Sequence, residues 1–300
     1  MTSDSGGTKV DEFDVIVIVD WSANGGPTRG TDSIWSYELQ IHSGERGELV
    51  NHPTRLHARD HLLHMLLQRH EHHSVLMGCD FPFGYPAGFV HAADLESPGL
   101  APWAATWEHL TGRLTDDERN RNNRWAVAAE LNERLGHHRF WGAPLSQAGP
   151  HLPTHRPPAP APDRTAEARL RSQGRRPFSP GHLFGAGSVG SQSLTGIPVL
   201  HHLRHHPVLA HRCVVWPFET GLAQPPPGPN GIVMAEVWPS AIDFNHVDHP
   251  VKDARQVVAL ADSLAADQRA GRLVQAFRPS LAAEVAAVVV AEEGWVLGLG

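Results

Sequence analysis

The run FDVIVIVD at residues 13–20 constrains the fold of this chain more than any other feature. Its residues from 15 to 19 are β-branched and apolar, so a strand built from them has no polar face to turn towards water. Such a strand belongs at the centre of a sheet that is covered on both sides. The run VLMGCD at 75–80 has the same character. We therefore expect the two runs to form central, adjacent strands.

The remaining patterns predict a mixed α/β sheet with helices on both faces. Further strands are predicted at 33–41, 48–50, 213–218 and 232–238. Helices are predicted at 54–70, 125–135, 190–204, 251–267 and 280–292. The order of strands and helices along the chain is typical of this class of fold.

The domain organisation follows from composition. We expect a disordered tail at 1–12 and a single domain over 13–300, with an insertion at about 87–180 that is helical and rich in proline. Prolines exclude regular structure from the stretch 149–163. We therefore expect this stretch to be an exposed linker, and residues 149–180 to be mobile and sensitive to proteases.

Charge, cysteine content and hydropathy bound the class of protein. The formal net charge of −7 argues against attraction of the whole surface to nucleic acid, but it leaves room for a local basic site. Two cysteines provide no disulfide framework, as expected in a reducing compartment. No run approaches the ~20 apolar residues that span a bilayer, and the start of the chain lacks the pattern of a signal peptide. We therefore expect a cytoplasmic protein without a membrane partner.

Acidic residues stand where the predicted strands end. Asp20 ends the first buried strand and Asp80 the second, Glu236 lies in a third, and Asp253 begins the helix that follows. Ligands of open α/β sheets bind at the carboxyl ends of the strands, so we expect these carboxylates to converge. Converging carboxylates repel each other, and a hard cation such as Mg²⁺ between them relieves the repulsion. The alternative is that these residues only close turns or cap a helix.

Several segments, taken in order, resemble one known family. VIVIVDWSA, DFPFGYP, AEVWPSAI and VKDARQVVALA are similar to a bacterial family of predicted nucleases with a ribonuclease-H-like fold, known mainly as a domain of unknown function. The closing EEGWVLGLG is similar as well. The resemblance covers most of the chain outside 1–12 and 145–175. It implies a ribonuclease-H-like mixed sheet.

The resemblance also implies metal-dependent hydrolysis of phosphodiester bonds or related phosphoryl chemistry. The superfamily places acidic residues on the first strand, the fourth strand and the C-terminal helix. Asp20, Asp80 and Asp253 match that order and would hold Mg²⁺ or Mn²⁺. Glu236 matches a strand glutamate of the narrower family and would be a fourth ligand or a general base. The chain departs from the pattern on its predicted first helix, which offers only Asp60 as an acid.

Four further residues are candidates for contact with substrate. Arg124 would bind an anionic group, and Trp125 would either stack on a base or be buried in the core. Ser188 lies in GAGSVG at 185–190, which spells a dinucleotide fingerprint but lacks the strand that should precede it. Two alternatives stay open, the start of a helix that meets a phosphate or carboxylate of the substrate and a plain tight loop. Glu219 is the nearest acid after this motif, and the expected partner is nucleic acid or a phosphorylated small molecule.

Two other classes of function stay open at this stage. An actin-like nucleotide phosphotransferase would share this sheet and would use Ser22 and Thr28, from the loop after Asp20, on phosphate. A second phosphate loop of the Asp-Gly-Gly kind is missing, which counts against it. A binding or scaffold protein would keep the fold without chemistry. Stabilisation by nucleotides would indicate the phosphotransferase, and a lack of stabilisation by divalent metals would favour the scaffold.

Overall fold

Six strands form one mixed sheet in the computed structural model, which describes residues 12–43, 46–158, 162–225 and 231–300. The strands are β1 (Val15–Asp20), β2 (Ile34–Gln40), β3 (Glu48–His52), β4 (Val75–Cys79), β5 (Cys213–Val215) and β6 (Ile232–Glu236). Their order across the sheet is β3-β2-β1-β4-β6-β5. The first three strands form an antiparallel meander, whereas β4, β6 and β5 run parallel to β1.

The two apolar runs are neighbours at the centre of this sheet. β1 pairs with β4 in parallel, in a register that sets Val15 beside Val75 and Val19 beside Cys79. All five residues of β4 are buried, as are the first five of β1. The sequence-based prediction of central, adjacent strands is confirmed. Its physical reason also holds, because neither strand has a polar face and both faces of the sheet are covered.

Helices cover the sheet on both sides, as predicted. They are α1 (Arg55–Arg69), α2 (Phe89–Ala92), α3 (Pro102–Arg113), α4 (Arg124–Leu135), α5 (Thr165–Ser172), α6 (Val189–Arg204), α7 (Lys252–Arg269), α8 (Leu273–Ala276) and α9 (Ala283–Val288). A π-helical turn at Val289–Glu293 continues α9. Short 3₁₀ turns occupy Leu145–Gln147 and Pro239–Ala241. The helix predicted at 190–204 is continuous through Pro198.

Alternation of side chains along the strands separates two hydrophobic cores. In β1, Val15, Val17 and Val19 enter the first core, which includes residues of α1, α3, α4 and α6. Ile16 and Ile18 enter the second core, which includes residues of α5, α7 and α8. The face towards which a strand residue points therefore decides which helices it meets.

The Pro-rich stretch 149–163 contacts the rest of the protein at a few of its described residues. Leu152 is buried, and the backbone N–H of Gly142 donates to the carbonyl of Pro153 at 2.9 Å. Arg164, just beyond the prolines, is fully buried. Most of the described residues of 149–163 are nevertheless exposed, as expected, and Leu152 is the buried exception. The mobility of 149–180 stays a prediction.

Some predictions fall outside the described residues. They concern the tail at 1–11 and the middle of the Pro-rich stretch at 159–161. Within the described ranges, no helix has both the length and the apolar composition that crossing a membrane requires.

Gly84, in the turn that follows β4, supports a first prediction. A Cβ atom added there would lie 2.1 Å from the backbone oxygen of Glu292, which cannot swing aside as a side chain can. We expect Gly84→Ala to destabilise the protein by about 1–3 kcal/mol in denaturant unfolding. Gly112 in α3 is the control, since an added Cβ there meets no atom within 4 Å and alanine favours the helix. Equal unfolding midpoints for the two variants would contradict the close packing described.

Candidate functional site

A cleft of about 730 Å³ opens at the carboxyl ends of β1 and β4 and is lined by three of the predicted aspartates. Asp20 is the last residue of β1, Asp80 follows β4 directly, and Asp253 lies in the first turn of α7. The N–H of Asp80 donates to the carbonyl of Val19, so the ladder continues to this residue. Alternation then directs Asp20 and Asp80 to the same side of the sheet, the side on which α7 packs.

The carboxyl groups of Asp20 and Asp80 lie in the same cleft, and each influences the pKa of the other. Burial is the main cause that raises the pKa of Asp20 to about 6. Burial, followed by the charge of Asp20, raises the pKa of Asp80 well above its ordinary value. Asp80 Oδ1 also accepts the backbone N–H of Trp21 at 2.7 Å, which fixes its orientation. The two carboxyl groups therefore keep their protons to a higher pH than isolated aspartates do when no cation is bound.

Asp253 faces the pair from α7. Its charge contributes to the raised pKa of both Asp20 and Asp80, and burial raises its own pKa. Its Oδ2 accepts the backbone N–H of Asp32 at 3.2 Å. Asp32 also lines the cleft and has the left-handed φ of 57°. The cleft thus carries four carboxyl groups, and sequence reasoning missed the fourth, which lies in the loop between β1 and β2.

The donor set fits a divalent cation that takes part of its coordination from elsewhere. Among the residues that the structure describes, no three His, Cys, Asp or Glu side chains stand together as a ready metal site. The close carboxyl pair of Asp20 and Asp80 nevertheless supplies oxygen ligands and a charge that a cation would neutralise. Mg²⁺ is commonly bound by one or two carboxylates together with substrate phosphates and water. Asp253 would add charge, and a ligand only after a shift of its side chain.

Glu236 is the main correction to the predicted set. It lies in β6 on the face of Met234, which belongs to the first core, so it points away from the aspartates. Arg164 donates to both of its oxygens at 2.6 and 2.7 Å, and the N–H of Phe83 donates at 3.0 Å. Glu236 is therefore a buried partner of Arg164. The sequence signal for this placement is the alternation of side chains along β6, in which Glu236 shares a face with Met234.

Arg124 brings a positive charge to the cleft wall. Its Nε donates to Ser191 Oγ at 3.1 Å, and its Nη1 donates to Asn122 Oδ1 at 3.0 Å. Burial and the nearby charge of Arg55 lower its pKa to about 10, so it stays protonated at neutral pH. Arg55 is neutralised by Asp116, whereas no carboxylate of the described chain forms an ion pair with Arg124. Its charge is available for an anionic ligand.

The other predicted substrate residues differ in their placement. Ser188 lines the cleft directly before α6, after Gly185 and Gly187 with φ of 95° and 79°. Trp125 is half-buried beside the cleft, with the Arg124 guanidinium 4.3 Å from its ring centroid.

Glu219 does not line the cleft. It accepts hydrogen bonds from Nη2 and Nε of Arg204, at 2.6 and 2.9 Å. It also accepts the N–H of Val215 and so closes the turn after β5.

Gln256 is a cleft residue that sequence reasoning missed. It follows Asp253 by three positions and therefore shares its face of α7, which was the available signal. Gln256 is only 6% exposed, and its side-chain Nε2 is buried without a hydrogen-bond partner. A buried donor without a partner costs free energy, so this amide is a polar group beside the cleft that the described part of the protein leaves without a hydrogen bond.

The loop after Asp20 offers little to a nucleotide. Ser22 lines the cleft, but its hydroxyl donates to the Asp32 carbonyl at 2.7 Å and accepts the N–H of Asn24. The Thr28 hydroxyl donates to the Gly26 carbonyl, and Thr28 does not line the cleft. Both hydroxyls that a phosphotransferase would use are thus engaged in shaping the loop.

Comparison with known proteins adds no function. No protein-family model matches the chain, and no curated protein or solved structure is similar enough to it to indicate a relative. The chemistry of the cleft therefore carries the functional argument.

Proposed function

We propose that this protein is a metal-dependent phosphodiester hydrolase that acts on nucleic acid or a phosphorylated small molecule. The observation that carries the proposal is the convergence of Asp20 and Asp80, both half-buried, in one cleft at the carboxyl ends of two parallel strands, with Asp253 facing them. A purely structural role does not require acidic residues from separate elements to gather in one cleft. A cation between them would relieve their mutual repulsion.

The arrangement of the sheet supports a ribonuclease-H-like fold as part of this proposal. An antiparallel meander of three strands precedes the parallel strand β4. Asp20, Asp80 and Asp253 come from β1, the end of β4 and the long helix α7, in the order that the family resemblance implies. β6 lies between β4 and β5, so chain order and spatial order differ at that edge.

Five residues of the cleft have roles in the proposed reaction. Asp20 and Asp80 would hold Mg²⁺ or Mn²⁺, with Asp253 as the third acid. A bound divalent cation would supply Lewis-acid stabilisation of the charge that develops on the phosphate oxygens. Arg124 would bind and orient the phosphate from the opposite wall, and Gln256 would donate a hydrogen bond to a ligand oxygen. The Arg124 guanidinium is already held at the cleft wall by Ser191 and Asn122.

Metal binding gives a direct test, and we expect Mg²⁺ or Mn²⁺ to raise the melting temperature. A ligand at about 100 times its Kd stabilises a fold by about 2.7 kcal/mol. Asp20→Asn should abolish this shift, because it removes a ligand and a charge. Asp60→Asn is the control: Asp60 is an exposed acid on α1, outside the cleft. Differential scanning fluorimetry with each metal and with chelator provides the measurement.

The same samples test hydrolysis. We expect cleavage of a single-stranded oligonucleotide and of bis(p-nitrophenyl) phosphate by wild type and Asp60→Asn, dependent on the metal, and none by Asp20→Asn. Stabilisation by nucleotides without cleavage would instead favour the phosphotransferase. No metal effect on either stability or hydrolysis would refute the proposal and leave a binding protein that keeps the fold.

A further inference from the structure

Two aromatic rings stand exposed at the wall of the cleft. Phe178 is 50% exposed and Phe184 is 56% exposed, and both line the cleft that holds Asp20 and Asp80. They belong to the segment between α5 and α6. Large apolar side chains that stay in water cost free energy in the isolated protein, and a pair of them in one cleft wall is typical of a binding surface.

The backbone that carries these rings is anchored, so their exposure is not a sign of a loose loop. Leu183, next to Phe184, is buried, and its N–H donates to the carbonyl of Trp141 at 2.9 Å. The hydroxyl of Ser191 donates to the Leu183 carbonyl at 2.6 Å. The ring of Phe178 packs on Gly187, where an added Cβ would lie 2.1 Å from it. Phe184 therefore follows an anchored residue, and the ring of Phe178 lies against Gly187.

Further aromatic and cationic groups adjoin the rings. The centroid of the Trp125 ring lies 6.4 Å from that of Phe184. The same Trp125 ring also contacts the Arg124 guanidinium. Trp238 also lines the cleft, with the guanidinium of Arg175 5.6 Å from its ring centroid. Two pairs of an arginine and a tryptophan thus accompany the exposed rings near the acidic centre. This is the composition of sites that bind single strands, in which bases stack on aromatic rings and cations track the backbone.

We propose that Phe178 and Phe184 are stacking platforms for unpaired bases, and that the substrate of the cleft is a single-stranded nucleic acid. The proposal rests on the proposed function, because it places the phosphate between Arg124 and the aspartates. Bases in a duplex are stacked on each other and cannot offer their faces to protein rings. An apolar protein partner would bury the rings equally well, but it would leave the charge of Arg124 without an anion.

Binding of labelled oligonucleotides tests the proposal. Fluorescence anisotropy with the full chain in Ca²⁺ would compare a short single strand, an abasic strand of the same length and a duplex. Stacking contributes enough that we expect Phe184→Ala and Phe178→Ala each to weaken binding of the single strand by about 5- to 150-fold. The same variants should leave binding of the abasic strand unchanged, since it has phosphates but no bases.

Two matched variants separate stacking from general hydrophobicity. Phe184→Tyr keeps an aromatic face and should bind the single strand as wild type does, whereas Phe184→Leu should bind as weakly as Phe184→Ala. Leu145→Ala removes a side chain that is 88% exposed and lies outside the cleft, so it should have no effect. Equal affinity of Phe184→Leu and wild type would overturn the proposal.

Failure of this inference can be told apart from failure of the proposed hydrolase. Metal-dependent cleavage together with equal wild-type affinity for the normal and abasic strands would overturn stacking and leave the hydrolase standing. Base-dependent binding that Phe184→Ala removes, without cleavage in any metal, would support the stacking site and refute the hydrolase. Absence of binding to every strand would overturn the inference.

Discussion

Replacing Arg164 with alanine should destabilise the protein by about 3–5 kcal/mol, one of the two largest effects that we expect. The side chain is fully buried and donates to Glu236 and Glu167, with the closest contacts at 2.6 Å, and to the carbonyl of Glu293 at 2.9 Å. Its removal leaves two buried carboxylates without their cation. Burial already raises the pKa of Glu167, so the variant would have to take up protons or admit water.

The consequence reaches the cleft. Glu236 also accepts the N–H of Phe83 at 3.0 Å, and Phe83 follows Asp80 by three residues. The pair of Arg164 and Glu236 therefore holds the turn that positions Asp80. We expect the alanine variant to lose metal binding as well as stability, although neither residue lines the cleft.

Denaturant unfolding with a matched arginine checks this prediction. Arg171 is a suitable control, because it is partly exposed and its ion pair with Asp163 lies near the surface. Surface pairs of this kind contribute about 0–1 kcal/mol, so Arg171→Ala should change the unfolding midpoint little. A double variant, Arg164→Met with Glu236→Leu, should recover part of the stability, since it removes one buried charge of each sign. An Arg164→Ala variant as stable as Arg171→Ala would show that the buried network does not stabilise the fold.

The central strands of the sheet can be predicted from the sequence, but the order of the strands at its edge cannot. β1 and β4 are predictable because five consecutive apolar residues leave a strand no exposed face. The position of β6 between β4 and β5 is not, because pairing order depends on contacts that no local pattern records. The same limit explains Arg164, which looks like one of a cluster of surface arginines. Its partner Glu236 lies 72 positions away.

The candidate site divides in a similar way. Asp20 and Asp80 could be predicted because each ends a buried strand, and Asp253 because it begins an amphipathic helix. The prediction for Glu236 is wrong because side chains alternate along β6, which puts Glu236 on the face of Met234. Phe178 and Phe184 carry no periodic signal, since they belong to an irregular segment. Leu183 anchors this segment by donating its N–H to the Trp141 carbonyl and by accepting the Ser191 hydroxyl.

Asp80→Asn should have opposite effects on activity and on stability, and this is the second large effect that we expect. Hydrolysis should fall at least about 100-fold, because charge stabilisation by a bound cation contributes several kcal/mol to the transition state. In chelator at pH 8, the same variant should be more stable than wild type by about 1–3 kcal/mol. Asparagine removes the repulsion with Asp20, yet its side-chain oxygen can still accept the N–H of Trp21.

The pH dependence follows from the direction of the pKa shifts. The pKa of Asp20 rises from 3.8 to about 6 on folding, so the folded protein binds more protons than the unfolded chain between these values. The stability that this provides is fully present below pH 3.8 and is lost as the pH rises through about 6. Asp80, whose pKa is raised further, extends the loss to higher pH. In chelator, wild type should therefore lose stability relative to Asp80→Asn as the pH rises from 4 to 8.

Thermal melts of wild type, Asp80→Asn and the control Asp60→Asn, each with Mn²⁺ and with chelator, would measure both effects. Mn²⁺ should reverse the order of stability, because only wild type and the control can bind it tightly. If Asp80→Asn is instead less stable than wild type in chelator and no protein responds to Mn²⁺, the carboxyl of Asp80 stabilises the turn at Trp21 and nothing more. The carboxyl pair would then be part of the scaffold, because removing a repulsion between two carboxylates cannot lower the stability of the folded protein.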